Sequence, residues 1–361
     1  MPGFTEVIDL VYSATIKADS VSPEGYRITT YEATYWRGIH SEMMTPRAMA
    51  RNSASTRAIP SSTQILNLLE NPFVPEKFGI NQPGMQAIIH LDGLKHEEAV
   101  AIWLSGRDRA VTTTIELLLG RREASALLEY DPTREHVPGD VLLAMYDEIH
   151  KKLPKSFDAI DLSETTFLNV HKQLASRDLE PYMFHTAVIT MTEDENFYAL
   201  RIHPDAQGEI NKIAQLMRDA RDASTPRALD YGEYHLPYVE EGEFDNVFDG
   251  IRSSSARAAA ASYGRQNAKN PEKEFERYND LKCSGHMSPL EHQARPFSKN
   301  EWRVRHDSAA TAESFKHSSD VAPLEIAQIQ NALQFSGNFR GWRMHRKDIV
   351  HEDNFGALVV A

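Results

Sequence analysis

The sequence predicts an α/β (α+β) protein in which helices pack on a mixed or antiparallel sheet. Residues 26–35 alternate β-branched and aromatic side chains after a turn signal at residues 22–25, which predicts a strand. Residues 186–191 are apolar and β-branched, and their periodicity fits either a buried strand or the start of a helix. Residues 205–223 repeat apolar side chains at helical spacing, with Asp205 expected as the cap.

The remaining elements are mostly helical. A helix is expected over residues 39–50, followed by a polar loop over residues 51–57 that ends at Ile59 and Pro60. Helical patterns recur at residues 62–69, 97–104, 110–130, 162–179, 253–262 and 267–278. Residues 229–249 are rich in Gly, Pro and acidic side chains and predict a long connection, and the polar residues 299–319 predict an insertion.

Composition and charge exclude several classes of protein. The chain has 361 residues, 52 acidic and 39 basic side chains and a formal charge of −13, which disfavours a nucleic-acid polymer as partner. No membrane-length apolar run occurs, and the N-terminus lacks the features of a signal peptide, so no membrane partner and a cytoplasmic location are expected. The single cysteine, Cys283, excludes an intrachain disulfide and a Cys-only zinc site.

Two stretches concentrate groups that bind anions. In the first, Arg47, Arg51 and Arg57 alternate with Asn52, Ser53 and Ser55, a set that can hold a phosphate through charge-assisted hydrogen bonds. The alternative is a solvated surface loop. The second stretch runs from Arg177 to Pro181 and continues with Asn196, Arg201 and Gln207. Arg201 is expected just ahead of a helix N-terminus, where an anion is favoured; alternatively it pairs with Asp205.

The third stretch contains Cys283, His286, Ser288, Glu291 and His292. The two histidines lack the usual spacing of zinc ligands and the loop offers no clear fourth ligand, so no metal site is expected. Cys283 activated by His286 would be a nucleophile, whereas a free cysteine is more commonly an inert packing residue.

Taken in this order, the stretches resemble the flavin-dependent thymidylate synthases, particularly their long phage forms. The family signature RHRxxSxNExSxR is approached by residues 45–57, and residues 30–42 resemble the segment that leads into it. Residues 177–181 and the pattern Asn196-x4-Arg201-x5-Gln207 resemble the second family element. Residues 286–292 resemble H-x-S/T-P-x-E-H, with an A-R-x-S-Y-like piece at residues 256–263.

The resemblance covers residues 20–346, and its motif order is circularly permuted relative to the short enzymes, which is tolerated when chain termini lie close together. It implies a flavin-dependent thymidylate synthase-like fold in one catalytic domain, residues 1–361, with insertions near residues 75–155 and 230–320. It also implies a homotetramer with active sites at subunit interfaces, in the host cytoplasm if phage-encoded. Each site would bind FAD, the substrate dUMP and methylenetetrahydrofolate, with NADPH as reductant and no cysteine nucleophile.

Roles follow from this resemblance position by position. Arg177 and His286 match catalytic positions, Arg177 at the uracil edge and His286 near the reacting ring. The dUMP-binding positions are Glu42, Ser55, Arg57, Arg177 and Arg201. The FAD-binding positions are Arg47, Asn52, Asn196, Ser262, His286 and Ser288, to which a C-terminal element adds His345 and Arg346.

Four positions depart from the signature, with Thr45, Pro46, Ala50 and Ser53 in place of Arg, His, Ser and Glu. Pro46 removes an imidazole and a backbone donor together. Residues 338–346 resemble the region around the same motif, so His345 and Arg346 are hypothesised to supply the missing groups; the alternative is a basic surface helix. The departures also leave open another C5-modified deoxyuridylate as product, such as a hydroxymethylated one, or a non-catalytic nucleotide-binding protein.

Overall fold

A five-stranded mixed sheet organises the chain. The computed structural model describes residues 12–84, 86–121, 144, 147, 148, 151, 168–261, 269–305, 333–350 and 352. The strands of the sheet are β1 Ser13–Val21, β2 Arg27–Trp36, β3 Met49–Ser53, β4 Phe184–Met191 and β5 Arg227–Ala228. Their order is β3-β4-β2-β1-β5, and every neighbouring pair is antiparallel except β1 and β5. The α+β class expected from the sequence is confirmed.

The described helices are α1 His40–Met43, α2 Ser61–Glu70, α3 Gly93–Leu119, α4 Lys172–Ala175, α5 Glu195–Arg201, α6 Gly208–Ala223, α7 Val247–Ala261 and α8 Pro271–Cys283. Of these helices, α6 and α7 make the main contacts with the five-stranded sheet. Short 3-10 helices occupy Arg37–Ile39, Arg177–Tyr182, Ser288–Glu291 and His345–Asp348. Short strands β6 Ala294–Pro296 and β9 Trp342–Met344 pair with each other, as do β7 Phe335–Ser336 and β8 Phe339–Arg340. None of these helices combines the length and apolar character needed to cross a membrane.

The pairing of β2 with β4 sets the two faces of the sheet. Its register runs without interruption from Thr29 opposite Met191 to Trp36 opposite Phe184. Because side chains alternate along a strand, Tyr31 and Tyr35 share one face while Thr30 shares the other with Thr190. Residues 186–191, left open between strand and helix by the sequence, are therefore a strand, and their burial on both faces explains why the run lacks alternation.

Each face carries its own core. On one face, Ile210, Ile213 and Met217 of α6 pack against β2 and β4, and each is fully buried, which contributes about 1.5–3 kcal/mol per side chain. On the other face, Ile28 and Ala50 pack against Phe339, Trp342 and Met344 of the C-terminal strands. The C-terminal element is therefore part of the core of the molecule, and the expectation of a basic surface helix there is wrong.

The helix expected over residues 39–50 is wrong beyond Met43. The chain turns instead into β3, which pairs with β4 from Met49 opposite Met191 to Ser53 opposite Ala187. Met49 and Ala50 are buried by this pairing, and that burial outweighs the local helical pattern. Arg51 and Asn52, expected in a loop, consequently lie on an edge strand.

Other boundaries also differ from the sequence expectations. The patterns at residues 97–104 and 110–130 belong to one continuous helix, α3, up to Leu119, whereas residues 168–179 contain only the short helix α4 and the start of a 3-10 turn. Helix α6 begins at Gly208 with Gln207 at its N-cap, so Asp205 is not the cap. Residues 122–130, 162–167, 262–268 and 306–319 of the predicted elements lie outside the described residues.

A buried ion cluster links helices α7 and α8. Arg257 of α7 donates from Nε to Glu274 of α8 at 2.9 Å and from Nη1 to Glu243 at 3.0 Å and to the carbonyl of Tyr238 at 2.8 Å. These hydrogen bonds lower the pKa of Glu243 to about 2. Arg257, in the A-R-x-S-Y-like piece, thus ties the loop of residues 238–243 to both helices.

We expect an Arg257→Ala variant to lose about 3–5 kcal/mol of unfolding free energy in urea, because two carboxylates lose their buried partner. The matched control is Arg218→Ala, whose ion pair with Asp219 is exposed and is expected to matter by less than about 1 kcal/mol. Since the pKa of Glu243 is depressed in the folded state, its stabilisation of wild type is complete above about pH 4.5 and is lost as the pH falls towards 2. Equal losses in the two variants would contradict this assignment.

Candidate functional site

The stretches that stand apart in the sequence meet at β3. Asn52 of β3 donates through Nδ2 to the carbonyl of Ala258 in α7 at 2.9 Å. Ser288, in the third stretch, donates through Oγ to Asn52 Oδ1 at 3.4 Å. One strand therefore joins the first stretch, the third stretch and the helix that carries the A-R-x-S-Y-like piece.

The C-terminal element reaches the same place through a charge cluster. Arg346 forms an ion pair with Glu291 and donates from Nε to Glu352 Oε2 at 2.7 Å. Burial raises the pKa of Glu291, and the charges of Arg346 and Arg51 oppose this rise. Arg51 itself donates to the carbonyls of Met44 and Pro46, at 2.9 and 2.7 Å, and so fixes the chain just before β3.

His345 occupies a different environment from its neighbour Arg346. Its side chain is buried, with Nε2 at 3.0 Å from the hydroxyl of Tyr278, and its backbone N–H donates to the carbonyl of Gln293 at 2.8 Å. Burial lowers the pKa of His345 to about 4, so the imidazole is neutral at neutral pH. His345 anchors the turn that presents Arg346.

Arg201 lies at the approach to β3. It donates through Nη2 to Thr45 Oγ1 at 2.7 Å and to the carbonyl of Glu42 at 3.4 Å. It occupies the last turn of α5, ahead of the start of α6 as expected, and Asp205 faces His203 instead of Arg201. Burial raises the pKa of Glu42, whose Oε2 has no hydrogen-bond partner among the described residues.

A second charge cluster, Arg37, Thr56, Arg177 and Glu180, lies beyond the other end of β3. Glu180 Oε1 accepts from Thr56 Oγ1 and from Arg177 Nη1, each at 2.7 Å, and lies 3.3 Å from Arg37 Nη2. Burial alone would raise the pKa of Glu180, but the Thr56 hydrogen bond and the two arginines outweigh it and lower that pKa. This Glu180 cluster fixes Arg177 beside the loop that carries Ser55 and Arg57.

A pair of histidines missed by the sequence reasoning adjoins the Glu180 cluster. Arg37 Nη1 lies 3.0 Å from His185 Nδ1, and His40 Nδ1 lies 2.9 Å from the hydroxyl of Tyr35, with the two imidazole centroids 4.6 Å apart. Because a guanidinium only donates, Nδ1 of His185 must accept, and its proton is on Nε2. Burial lowers the pKa of His40 to about 4 and that of His185 as well. Only the register that places Tyr35 opposite His185 reveals this pair.

The three arginines reach β3 from different segments of the chain. Arg57 and Arg177 belong to the loop and the turn beyond the end of β3, and Arg201 contacts Thr45 in the segment before its start. The other site positions with exposed side chains are Arg47, Ser55, Asn196 and His286. Ser262 lies outside the described residues.

Cys283 is exposed at the end of α8, so its expected role as a packing residue is wrong. Within the described ranges, no three His, Cys, Asp or Glu side chains gather as metal ligands would. A cleft of about 500 Å³ lies elsewhere, between β1 and the loop of residues 232–250, and shares no residue with the β3 region. Comparison with protein-family models, curated proteins and solved structures finds no match to this chain.

We expect Glu180→Gln to lower the unfolding free energy by about 1–3 kcal/mol, because Arg37, whose side chain is only 12% exposed, loses its counter-charge. The stabilisation by Glu180 is present above about pH 4.5 and is lost as the pH falls, since the folded-state pKa is depressed. Urea unfolding at pH 7 and pH 3 measures both effects, with Glu76→Gln, an exposed partner of Lys212, as the control. A Glu180→Gln effect no larger than that of the control would argue against this role.

Proposed function

We propose that this protein is a flavin-dependent thymidylate synthase, which methylates C5 of dUMP with methylenetetrahydrofolate and uses FAD and NADPH for the reduction. The observation that carries the proposal is the convergence on β3. Segments around residues 52, 288 and 346, which resemble separate motifs of that family, contact one another directly or through Glu291. Arg201 and Arg177 border the same strand through Thr45 and Thr56. Accidental motif matches would have no reason to assemble in this way.

The Glu180 cluster suits the phosphate of dUMP. Ser55 and Arg57 have exposed side chains beside this cluster, so their donors are accessible to the phosphate, and Arg177 is exposed towards the rest of the nucleotide. Glu180 restrains the Arg177 guanidinium before any ligand binds, which reduces the entropy lost on binding. Glu42 and Arg201 form the second group of dUMP contacts in this proposal, and Arg177 stabilises negative charge at the uracil edge.

The chemistry of the donors at the start of β3 and beside Glu291 fits FAD. Arg47 and His286 are exposed and Arg346 is half-buried, which provides cationic and imidazole donors for a pyrophosphate and a ring carbonyl edge. The Ser288–Asn52 contact is long, at 3.4 Å, and is weak enough to be exchanged for a ligand contact. Asn196 and Ser262 complete the set by resemblance. FAD supplies the redox chemistry when bound, and the side chains of this protein bind and orient the reactants.

The geometry favours Arg346 over His345 for direct contact with FAD. Nε2 of His345 is already engaged by Tyr278, whereas Arg346 is 30% exposed at its side chain. In this proposal, Arg346 supplies the positive charge of the signature arginine that Thr45 replaces. No group takes over the role of the signature histidine that Pro46 replaces.

A homotetramer completes the proposal. This part of the proposal rests on the family resemblance, which implies active sites at subunit interfaces built from residues of neighbouring copies. The proposed fold is that of the family, circularly permuted, in a cytoplasmic enzyme.

The purified protein supplied with FAD, dUMP, methylenetetrahydrofolate and NADPH is expected to form dTMP. The measurement is mass spectrometry of the nucleotide product, with omission of FAD as the control. A product heavier than dTMP by one oxygen would show that the enzyme makes a hydroxymethylated nucleotide instead of thymidylate. If the protein binds dUMP but shows no flavin absorbance after incubation with FAD, it is a nucleotide-binding protein and not a flavoenzyme.

Arg346→Ala is expected to weaken FAD binding by about tenfold or more, because one charge-assisted contact is lost. The matched control is Arg343→Ala: Arg343 lies on β9 and pairs with Asp348 but not with Glu291. FAD fluorescence titration measures both affinities, and circular dichroism verifies folding. Equal FAD affinities of the two variants would remove Arg346 from the proposed flavin site.

A further inference from the structure

A continuous row of buried polar side chains crosses the face of the sheet that carries Ile28. Ser20 Oγ lies 3.0 Å from His235 Nδ1, and His235 Nε2 lies 2.8 Å from Thr30 Oγ1. Thr30 Oγ1 lies 2.7 Å from Thr190 Oγ1, which lies 2.8 Å from His292 Nδ1. Each of these residues is at most 3% exposed. Such a row is costly to bury unless its hydrogen bonds are made.

The backbone holds the members of this row in place. Thr30 and Thr190 are directly opposite each other in the β2–β4 register. His235 forms an antiparallel bridge with Ala294, two residues after His292, so the two imidazoles are carried by adjacent segments. The row therefore follows from the pairing of strands and needs no mobile element.

Because each group in the row has only one proton to donate within it, all of its hydrogen bonds must point the same way along the row. Burial lowers the pKa of both His235 and His292 to about 3, so each ring has one N–H and one lone pair. Each hydroxyl has a single proton. If Ser20 donates to His235, every later group must donate onward and His292 carries its proton on Nε2. If the direction is reversed, both rings carry their protons on Nδ1.

The two ends of the row lie in different places. Ser20 lines the cleft of about 500 Å³, together with Asp19 and Arg227. At the other end, Nε2 of fully buried His292 has no hydrogen-bond partner among the described residues. That end adjoins the candidate site, because Thr190 pairs with Ala50 of β3 and His292 directly follows Glu291.

We infer that Ser20, His235, Thr30, Thr190 and His292 form a proton relay between this cleft and the β3 region. In one transfer, Ser20 passes its proton to His235 Nδ1 and takes another from a hydronium ion in the cleft, which becomes water. His235 passes its Nε2 proton to Thr30, Thr30 passes its proton to Thr190, and Thr190 passes its proton to His292 Nδ1. His292 releases its Nε2 proton to an oxygen acceptor, which is water in the protein without ligands. Every group gains and loses one proton, and one proton is moved in total.

This inference does not depend on the proposed function, and nuclear magnetic resonance of the full chain labelled with ¹⁵N-histidine tests it. In wild type at pH 7, the ¹⁵N shifts are expected to give His235 and His292 the same tautomer. Thr30→Val keeps the side-chain shape and removes the hydroxyl in the middle of the relay. The ring N–H of His292 is then expected to exchange with water at least about tenfold more slowly, because the relay no longer delivers a proton to His292 Nδ1 and that nitrogen is protonated only when the structure opens.

The matched control is Thr34→Val. Thr34 and Thr186 form an equivalent hydroxyl pair, at 2.9 Å, between the same two strands but outside the relay. This variant should leave exchange at His292 unchanged. Ser20→Ala, which cuts the relay at its solvent end, should slow exchange as Thr30→Val does and serves if Thr30→Val does not fold. Opposite tautomers in wild type, or exchange at the wild-type rate in Ser20→Ala, would overturn the relay.

Discussion

The pairing of β2 with β4 is the constraint on which the rest of the structure depends. These strands come from parts of the chain separated by the whole of α2 and α3, and they meet in an uninterrupted antiparallel register. If β2 slipped by one residue against β4, Tyr31 and Tyr35 would leave the face that packs against α6 and lie on the opposite face. The buried threonines of β2 would move to the face that packs against α6. The same register brings Arg37, at the end of β2, to the turn that contains Glu180. Core, charge clusters and the buried polar row are thus consequences of one alignment.

Carboxylates organise the cations of the candidate site. The chain is acidic overall, yet the arginines around β3 are fixed by individual partners: Glu180 holds Arg177, and Glu291 holds Arg346. In each case the carboxylate is more buried than the arginine it binds. A half-buried carboxylate that orients a more accessible guanidinium leaves part of that guanidinium free to bind an anionic ligand. The net charge of the protein therefore says little about its local affinity for anions.

Part of the candidate site was recognisable from the sequence, because its motifs are short runs of residues. The segments of Asn52, Ser288 and Arg346 were each singled out in the sequence, and their contacts at β3 were not foreseeable from any one of them. His40, His185 and Glu180 escaped notice, since a histidine on a strand or a glutamate before a proline carries no chemical signal by itself. Arg257 was assigned no role from the sequence, and its fully paired guanidinium is a structural tie between helices.

The sequence by itself determined the class of fold, β2, α6 and the long connection after β5, because these depend on local periodicity and turn chemistry. Tertiary structure alone decided that residues 49–53 form a strand and that residues 186–191 pair on both sides, because unsatisfied backbone groups and apolar surface outweigh weak local preferences. It alone decided which charges are neighbours, such as Arg346 and Glu291, since Coulomb interactions depend on distance in space and periodicity contains no such information.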